Sequence, residues 1–264
     1  MQINFFKYQA TGNDFILIDD REMVFDIRNN SLIQRLCQRK FGIGADGLIL
    51  LRKDASSDFR MIYFNADGYE SSMCGNGGRA ITAFANQLIP EKRFFTFYAI
   101  DGIHYSHIQS YTDHGCIVSL QMKDVDSVIQ QDDAIILDTG SPHVVKFVAD
   151  SHHLDVVNEG RRIRNSEAFL KEGINVNFVE TGNEFLYVRT YERGVEDETL
   201  SCGTGVTASA ISAYASGVTE EKELDVHTPG GRLQVKFDAL EDGRFCNIFL
   251  SGPAEFVFEG KIHI

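Results

Sequence analysis

The chain repeats itself, and that constrains its fold more than any other feature. Cys74-Gly75-Asn76-Gly77 returns as Cys202-Gly203-Thr204-Gly205, an offset of 202 − 74 = 128 residues. The same offset relates Thr11-Gly12 to Thr139-Gly140 and Gly102 to Gly230. Glu70 and Glu198 each stand four residues before their cysteine, and Ala80 and Ala208 six after. One four-residue match could be chance. Several at one offset mark a tandem duplication of a unit of roughly 125 residues, an ordinary domain size. The 264 residues therefore read as two similar domains.

Each half follows the same order of elements. The first has strand patterns at INFFKY, FILID, GLILL, DFRMIYFN, FFTFYAI, HYSHIQS and CIVSLQM, with a helix over SLIQRLCQRKF. Ser31 and Gln34 have capping-box spacing at the start of that helix. A second helix, GGRAITAFANQLI, follows the CGNG loop and stops at Pro90. The second half offers strands at AIILDTG, HVVKFV, NVNFVE, FLYVRTYE, ELDVHT, RLQVKFD, FCNIFLSG and FVFEG. It also has a polar stretch, EGRRIRNSEAF, and its helix VTASAISAYASG again follows the CGxG loop. The fold class is α/β of the α+β type, β-rich, with one prominent helix per half. The polar stretch from Lys123 to Gln131 separates the halves.

Composition narrows the function classes. With 25 basic against 38 acidic residues the net charge is −13, a surface that repels phosphate backbones and anionic lipids. We therefore expect neither nucleic acid nor membrane as partner. No window approaches 18 uninterrupted apolar residues, and MQINFFKYQATGNDF lacks a charged n-region followed by an apolar h-region. Five cysteines are too few, and the wrong number, for a disulfide scaffold. The expectation is a soluble, cytoplasmic, acidic globular protein, with its chemistry still open.

The cysteines are of two kinds. Cys37 falls on the apolar stripe of its helix, one turn after Ile33. Cys116 alternates with Val118 and Leu120, and Cys246 with Ile248 and Leu250. All three read as small inward-facing hydrophobes. Cys74 and Cys202 instead each precede Gly-x-Gly and a helix. Backbone N–H groups at a helix start, with the helix dipole behind them, favour negative charge and lower the pKa of a thiol placed there. A single copy is as readily an incidental cysteine in a glycine turn. Two copies at equivalent places favour function.

Three other patterns carry less. Gly75-x-Gly77-x-x-Ala80 and Gly203-x-Gly205-x-x-Ala208 fit the loose dinucleotide fingerprint, with Asp101 after the first. That fingerprint needs its first glycine directly after a buried strand, whereas polar ADGYESSM and GVEDETLS intervene. His152-His153 is a bare pair without metal-ligand spacing, so no metal site is expected. Arg161, Arg162 and Arg164 read as a solvated basic patch.

Two thiols in a duplicated fold fit one chemistry. Inverting a carbon that bears H, ammonium, carboxylate and alkyl requires a base on one face and an acid on the other, exchanging roles with direction. Cysteine, whose thiol ordinarily titrates near about 8.5, serves as either once tuned. The two helix N-termini would stabilise charge growing on the carboxylate. The residues thus point to a racemase or epimerase without naming its substrate.

NADGYESSMCGNGGRA and YERGVEDETLSCGTGVTAS closely resemble the two signature segments of the diaminopimelate epimerases. KYQATGNDFILID, GIGADG, TGSPHVV and NVNFV resemble further segments in the same order. The resemblance implies two pseudo-symmetric domains, each a curved mixed sheet around a central helix, with the active site in the interdomain cleft. It also implies a C-terminal strand returning to the first domain, hence domains over 1–122 plus 254–264 and over 123–253. It implies a cofactor-independent, PLP-independent isomerase that interconverts LL- and meso-diaminopimelate in lysine and cell-wall precursor biosynthesis. Carried over by position, the catalytic residues are Cys74 and Cys202. Substrate-binding residues are Asn13, Asn65, Gly75, Asn76, Asn175, Glu192, Arg193, Gly203 and Thr204, with His143 beside the site. Arg193 can hold a carboxylate bidentately and Glu192 an ammonium, although a Glu-Arg pair taken alone is more often a surface ion pair. Asn13, Asn65 and Asn175 alone would pass for turn residues.

Two positions depart from the family pattern. Ser141 stands where many members have Asn, and Gly47 where some have Gln. A homodimer is expected. The alternatives are a related two-cysteine racemase of the proline or hydroxyproline type and a thiol redox protein. The proline-type relatives usually carry His at the position of Asn76 and lack the Glu192-Arg193 pair.

Overall fold

The computed structural model describes residues 1–264. The chain divides into two compact units, Met1–Leu120 with Gly252–Ile264, and Gln121–Ser251. No helix is long and apolar enough to cross a membrane.

In the first unit the strands are β1 (Gln2–Ala10), β2 (Asn13–Asp19), β3 (Gly47–Arg52), β4 (Phe59–Asn65), β5 (Phe94–Ala99), β6 (Gly102–Thr112) and β7 (Gly115–Gln121). They pair in chain order; β2–β3 and β4–β5 are parallel and the rest antiparallel. The long last strand β16 (Phe245–His263) contributes its C-terminal part here, pairing with β7 through Gly252–Glu255 and with β1 through Glu255–His263. It pairs with both ends of the row, so the sheet closes on itself.

Helix α2 (Gly75–Leu88) packs against β1, β2, β3 and β6, and all of its residues from Gly75 to Asn86 are buried. A helix enclosed on all sides needs small residues for strands to approach, and GGRAITAFA supplies them. At Gly78 a Cβ would stand 2.7 Å from the Met73 side chain and 2.8 Å from that of Leu120.

The second unit repeats this plan. Strands β8 (Val128–Gln131), β9 (Ala134–Asp138), β10 (Pro142–Phe147), β11 (Asn175–Thr181), β12 (Phe185–Glu192), β14 (Glu223–Thr228), β15 (Gly231–Ala239) and the N-terminal part of β16 pair in that order. A short β13 (Asp197–Thr199) lies off β12. The parallel pairs are β10–β11 and β12–β14, at the places equivalent to β2–β3 and β4–β5. Helix α4 (Gly203–Ala215) is the buried centre, packed on β9 to β12, β14 and β15. Thr207 and Ser209 return their hydroxyls to the carbonyls of Gly203 and Gly205 at 3.0 and 2.7 Å, which satisfies polar groups that no water reaches. In this unit β8 lies on β9 as the end of β16 lies on β1. One strand of the repeat thus comes from the start of the second half, and its equivalent from the end of the chain.

Three local expectations change. The first helix, α1 (Asn30–Cys37), is capped by Asn29 rather than Ser31: the Asn29 side chain accepts from the Leu32 N–H at 3.1 Å. It ends at Cys37 because the chain folds back tightly, with Gly42 N–H on Gln38 O and Gly44 N–H on Leu36 O. The polar stretch after Asp155 is in part a helix, α3 (Val156–Arg164), capped by the Asp155 carboxylate. Only Val156 and Gly160 are buried, too few to give a visible apolar stripe. Its basic last turn suits the helix dipole. Cys246 is half-buried, whereas Phe245, Ile248 and Leu250 are buried. Asn247 has φ +50°, and the register with β15 shifts nearby, which breaks the alternation assumed for Cys246.

Candidate active site

Cys74 and Cys202 occupy the same position in their units: each is the N-cap residue of the buried helix, in extended conformation, and neither side chain caps the helix. Ser, Thr, Asp or Asn would serve the helix better there, so capping does not explain a cysteine. Neither helix has an acidic residue in its first turn. The first-turn N–H groups and the dipoles of 14- and 13-residue helices therefore bear on whatever anion lies at each end.

Around Cys74 the first unit gathers Asn13, Asn76 and Arg79. The Cys74 thiol donates to Asn13 Oδ1 at 3.7 Å, and Asn76 Nδ2 donates to the same oxygen at 3.3 Å. Asn13 is held from its other end, donating through Nδ2 to Asp46 Oδ2 at 2.8 Å. Asp46 in turn accepts from Arg39 at 2.7 Å, and Arg39 grips Asp14 with both terminal nitrogens. Burial disfavours the Asp14 charge, but hydrogen bonds from Arg39 and Lys7 outweigh it and hold the carboxyl well below the usual range. Asn65 ends β4 and donates to Ser71 Oγ at 3.1 Å. It pairs with Gly47, which pairs with Phe15, so Asn65 and Asn13 lie at the same end of β4 and β2, with β3 between them. A side chain at Gly47 has no room: its Cβ would stand 2.5 Å from the Tyr63 ring and 2.6 Å from Phe64 O.

Around Cys202 the second unit places Thr204, whose hydroxyl lies 3.4 Å from the sulfur. Thr139 Oγ1 donates to Thr204 O at 2.9 Å and ties the loop after β9 to the helix start. Asn175 joins Arg193 to the Ser141-Pro142 segment: its Nδ2 donates to Ser141 Oγ at 2.8 Å and to Pro142 O, and its Oδ1 accepts from the Arg193 N–H at 2.9 Å. Ser141 therefore acts here as a prop for Asn175. Glu192 accepts from Thr199 Oγ1 at 2.9 Å, and the Arg193 guanidinium donates to Glu172 O at 3.0 Å. His143 is fully buried, and burial pushes its pKa down to about 3, so it is neutral. Its Nδ1 lies 3.0 Å from Asn177 Nδ2, which assigns Nδ1 as acceptor and puts the ring proton on Nε2, an atom without a partner.

Asn177 and Arg79 went unnoticed in the sequence. Asn177 accepts from Thr190 Oγ1 at 2.9 Å, and a Cβ at Gly205 would stand 2.3 Å from its Oδ1. It thereby links His143 to the first turn of α4. The signal was present in NVNFV, where an amide sits at an inward position of an apolar strand. Arg79 is likewise the one charged residue of the helix GNGGRAITAFANQL.

The other cysteines are set apart. Burial pushes the Cys37 and Cys116 thiols up to about 12, which keeps them protonated and inert. The glycine-rich segment at 75–77 opens α2 after a loop rather than directly after a strand, as the polar residues before it implied. His153 pairs with Asp150 at 2.7 Å in an exposed position.

Comparison with known proteins decides the family. The diaminopimelate epimerase family profile matches residues 5–122 and 135–257. The chain belongs to the diaminopimelate epimerase family. The diaminopimelate epimerase of Flavobacterium psychrophilum is 53% identical over 258 residues, 97% of this chain and 99% of that protein. That of Chlorobaculum tepidum is 38% identical, over 96% and 98% of the two chains. Among solved structures, a PhzF-family protein of Bacillus anthracis covers all of both chains with a TM-score of 0.77 at 18% identity. A hydroxyproline epimerase of Agrobacterium vitis gives a TM-score of 0.70 at 13% identity, covering 99% of this chain and 92% of its own. These two establish the fold alone: a mixed α/β protein of two pseudo-symmetric domains. With the family relatives, the chain is an isomerase of the epimerase type.

Proposed function

We propose that this enzyme interconverts LL- and meso-diaminopimelate without a cofactor, with Cys74 and Cys202 as its two acid–base groups. The observation that carries the reading is the repeated placement of a cysteine at the N-cap of the one buried helix in each unit. The relatives named for diaminopimelate supply the substrate.

In the proposed reaction one cysteine, as thiolate, takes the proton from the α-carbon. The other, as thiol, delivers a proton to the opposite face, and the roles exchange in reverse. Charge developing on the α-carboxylate is met by N–H groups of Gly75 and Asn76 and of Gly203 and Thr204. Arg193 holds a carboxylate and Glu192 an ammonium, with Asn13, Asn65 and Asn175 as neutral partners. The neutral His143, oriented by Asn177, offers an Nε2–H donor at the second helix start. The two units serve as the two epimerase domains, over 1–122 plus 254–264 and 123–253. We place the enzyme in the cytoplasm as a homodimer. Exposed apolar side chains on the paired strands β5 and β6, Phe94, Ile103 and Tyr105 among them, support self-association, which light scattering tests.

The test of function is direct. Purified protein incubated with LL-diaminopimelate should yield the meso form, at a rate unchanged by chelators or hydroxylamine. Conversion of proline or 4-hydroxyproline instead would transfer the enzyme to the related racemases. Thiol–disulfide turnover without epimerisation would favour a redox role.

A further inference from the structure

The two buried helices differ at one position that matters electrostatically. Arg79, one turn into α2, is 0% exposed. Its counterpart 128 residues on is Thr207, which only returns its hydroxyl to Gly203 O. A guanidinium is charged under all ordinary conditions, and a buried one is normally matched by a carboxylate. Arg79 has none. Its Nη1 donates to Gly75 O at 3.4 Å, and its Nη2 to Thr11 Oγ1 at 3.2 Å and Asn76 Oδ1 at 3.0 Å. Its Nε has no partner. Every acceptor is neutral.

The strands packed on α2 do carry ionisable groups, but these are engaged elsewhere. On β1, Lys7 pairs with Asp14, and Tyr8 donates to Gln87. On β2, Asp14 is held by Arg39 as well, and Asp19 by Arg21. On β3, Arg52 pairs with Asp20. On β6, His104 pairs with Asp101, His107 stacks on Phe94, and Tyr105 and Tyr111 are exposed. Burial lowers the pKa of Arg79 to about 10, and the one group opposing that is Cys74. The attraction is reciprocal: the anion that retains the proton on Arg79 is itself favoured by Arg79.

We propose that Arg79 is a positioning residue for the first thiol. Its buried guanidinium is the counter-charge of the Cys74 thiolate, and its hydrogen bond to Asn76 fixes the amide that holds Asn13 beside that sulfur. Cys74 then has a partner in each protonation state. As a thiol it donates to Asn13 Oδ1, and as a thiolate it is balanced by Arg79. An acid–base group that must exchange roles with the direction of reaction needs support in both states. The second helix has Thr207 at this place, so this cation tunes one thiol of the two. The inference rests on the reading of Cys74 as an acid–base residue.

The test is the pH profile of iodoacetamide alkylation, read at Cys74 and at Cys202 by peptide mass mapping. It uses wild-type enzyme, Arg79→Gln and Arg79→Lys, and needs no substrate. In wild type, Cys74 should titrate below the ordinary thiol pKa of about 8.5. Arg79→Gln should raise its profile by roughly one pH unit, slowing alkylation at pH 7 by about tenfold, while the Cys202 profile stays in place. Arg79→Lys keeps the charge and should restore the profile. A purely structural arginine would affect stability without moving one thiol selectively. The proposal is overturned if Arg79→Gln leaves the Cys74 profile unchanged or moves both thiols alike. Should Arg79→Gln not fold, a wild-type Cys74 titrating at or above about 8.5 overturns it, and so does an Arg79→Lys profile displaced upward. Failure of wild-type enzyme to epimerise diaminopimelate, with the Cys74 shift intact, would remove the functional reading and leave the counter-charge standing.

Discussion

The starts of α2 and α4 share a backbone and differ in the side chains around it. At the common offset of 128 residues Asn13 corresponds to Ser141, Gly47 to Asn175, Asn65 to Arg193, Asn76 to Thr204 and Arg79 to Thr207, while Cys74 corresponds to Cys202. The duplication kept what delivers a thiol to a helix N-terminus: the strand order, the two parallel pairs, the CGxG turn and the enclosed helix. It released the residues that surround the thiol. The first thiol is surrounded by amides over a buried cation, the second by a hydroxyl, a neutral imidazole, the Asn175 amide and the charged Glu192 and Arg193 at the end of a strand. In the reaction proposed above, two equivalent acid–base groups act at one carbon while the rest of the substrate offers each unit different groups to bind, which matches a repeated backbone with divergent surroundings.

Breaking the shared part should cost most. Cys74→Ala and Cys202→Ala should each lower kcat for epimerisation by at least about 10²–10⁴-fold, with circular dichroism unchanged. Either variant turning over near the wild-type rate would end the two-thiol account.

The second glycine of each CGxG separates the two sites next. A Cβ at Gly205 meets Asn177 Oδ1 at 2.3 Å, whereas at Gly77 the nearest atoms are flexible ends of Ile49 and Met61 at 3.2 Å. Gly205→Ala should destabilise by about 1–3 kcal/mol in urea titrations, and Gly77→Ala by less. Equal losses would show that the Asn177 network does not fix the second helix start.

His143, beside the start of α4, gives the second unit a pH dependence of its own. Its folded pKa of about 3 lies below its unfolded value, so the unfolded chain binds the extra proton between those two pH values. Stability is complete above about pH 6.5 and falls as pH drops towards 3. Between pH 6.5 and 5 the loss attributable to His143 should be about 2 kcal/mol. His143→Gln should flatten that part of the urea-midpoint profile; an identical profile would contradict the burial of a neutral ring.

The smallest effects belong to the remaining cysteines. Cys37→Ala, Cys116→Ala and Cys246→Ala should leave kcat within about twofold of wild type, because none stands at a helix start. At pH 8, iodoacetamide should leave Cys37 and Cys116 unmodified, as their high pKa requires.

Much of this was legible in the sequence, for physical reasons. The CGxG repeat announces itself because each buried helix starts close against its strands, most tightly at Gly205, and the two cysteines stand in register with it. Strand alternation located nearly every strand. What escaped notice depends on contacts distant in sequence. Helix α3 buries only Val156 and Gly160, the latter against the Tyr191 ring, so its apolar period is invisible. Cys246 misled because the positive φ of Asn247 interrupts the period of two. β8 lies in the polar stretch taken as a boundary, and its residues are mostly exposed. Arg79 and Asn177 could be read as charge and amide, but their burial beside the helix starts follows only from how the strands close around each helix.

The central claim is that two distinct thiols serve one carbon, and hydrogen isotope incorporation tests it most directly. LL-diaminopimelate is supplied unlabelled in D₂O, and product and remaining substrate are analysed at low conversion. The account predicts meso product carrying solvent deuterium at the inverted carbon, while recovered LL substrate stays protiated, because the thiol that donates is not the one that accepts. Meso product retaining the substrate's own proton would mean that a single group both takes and returns it, and would contradict the account.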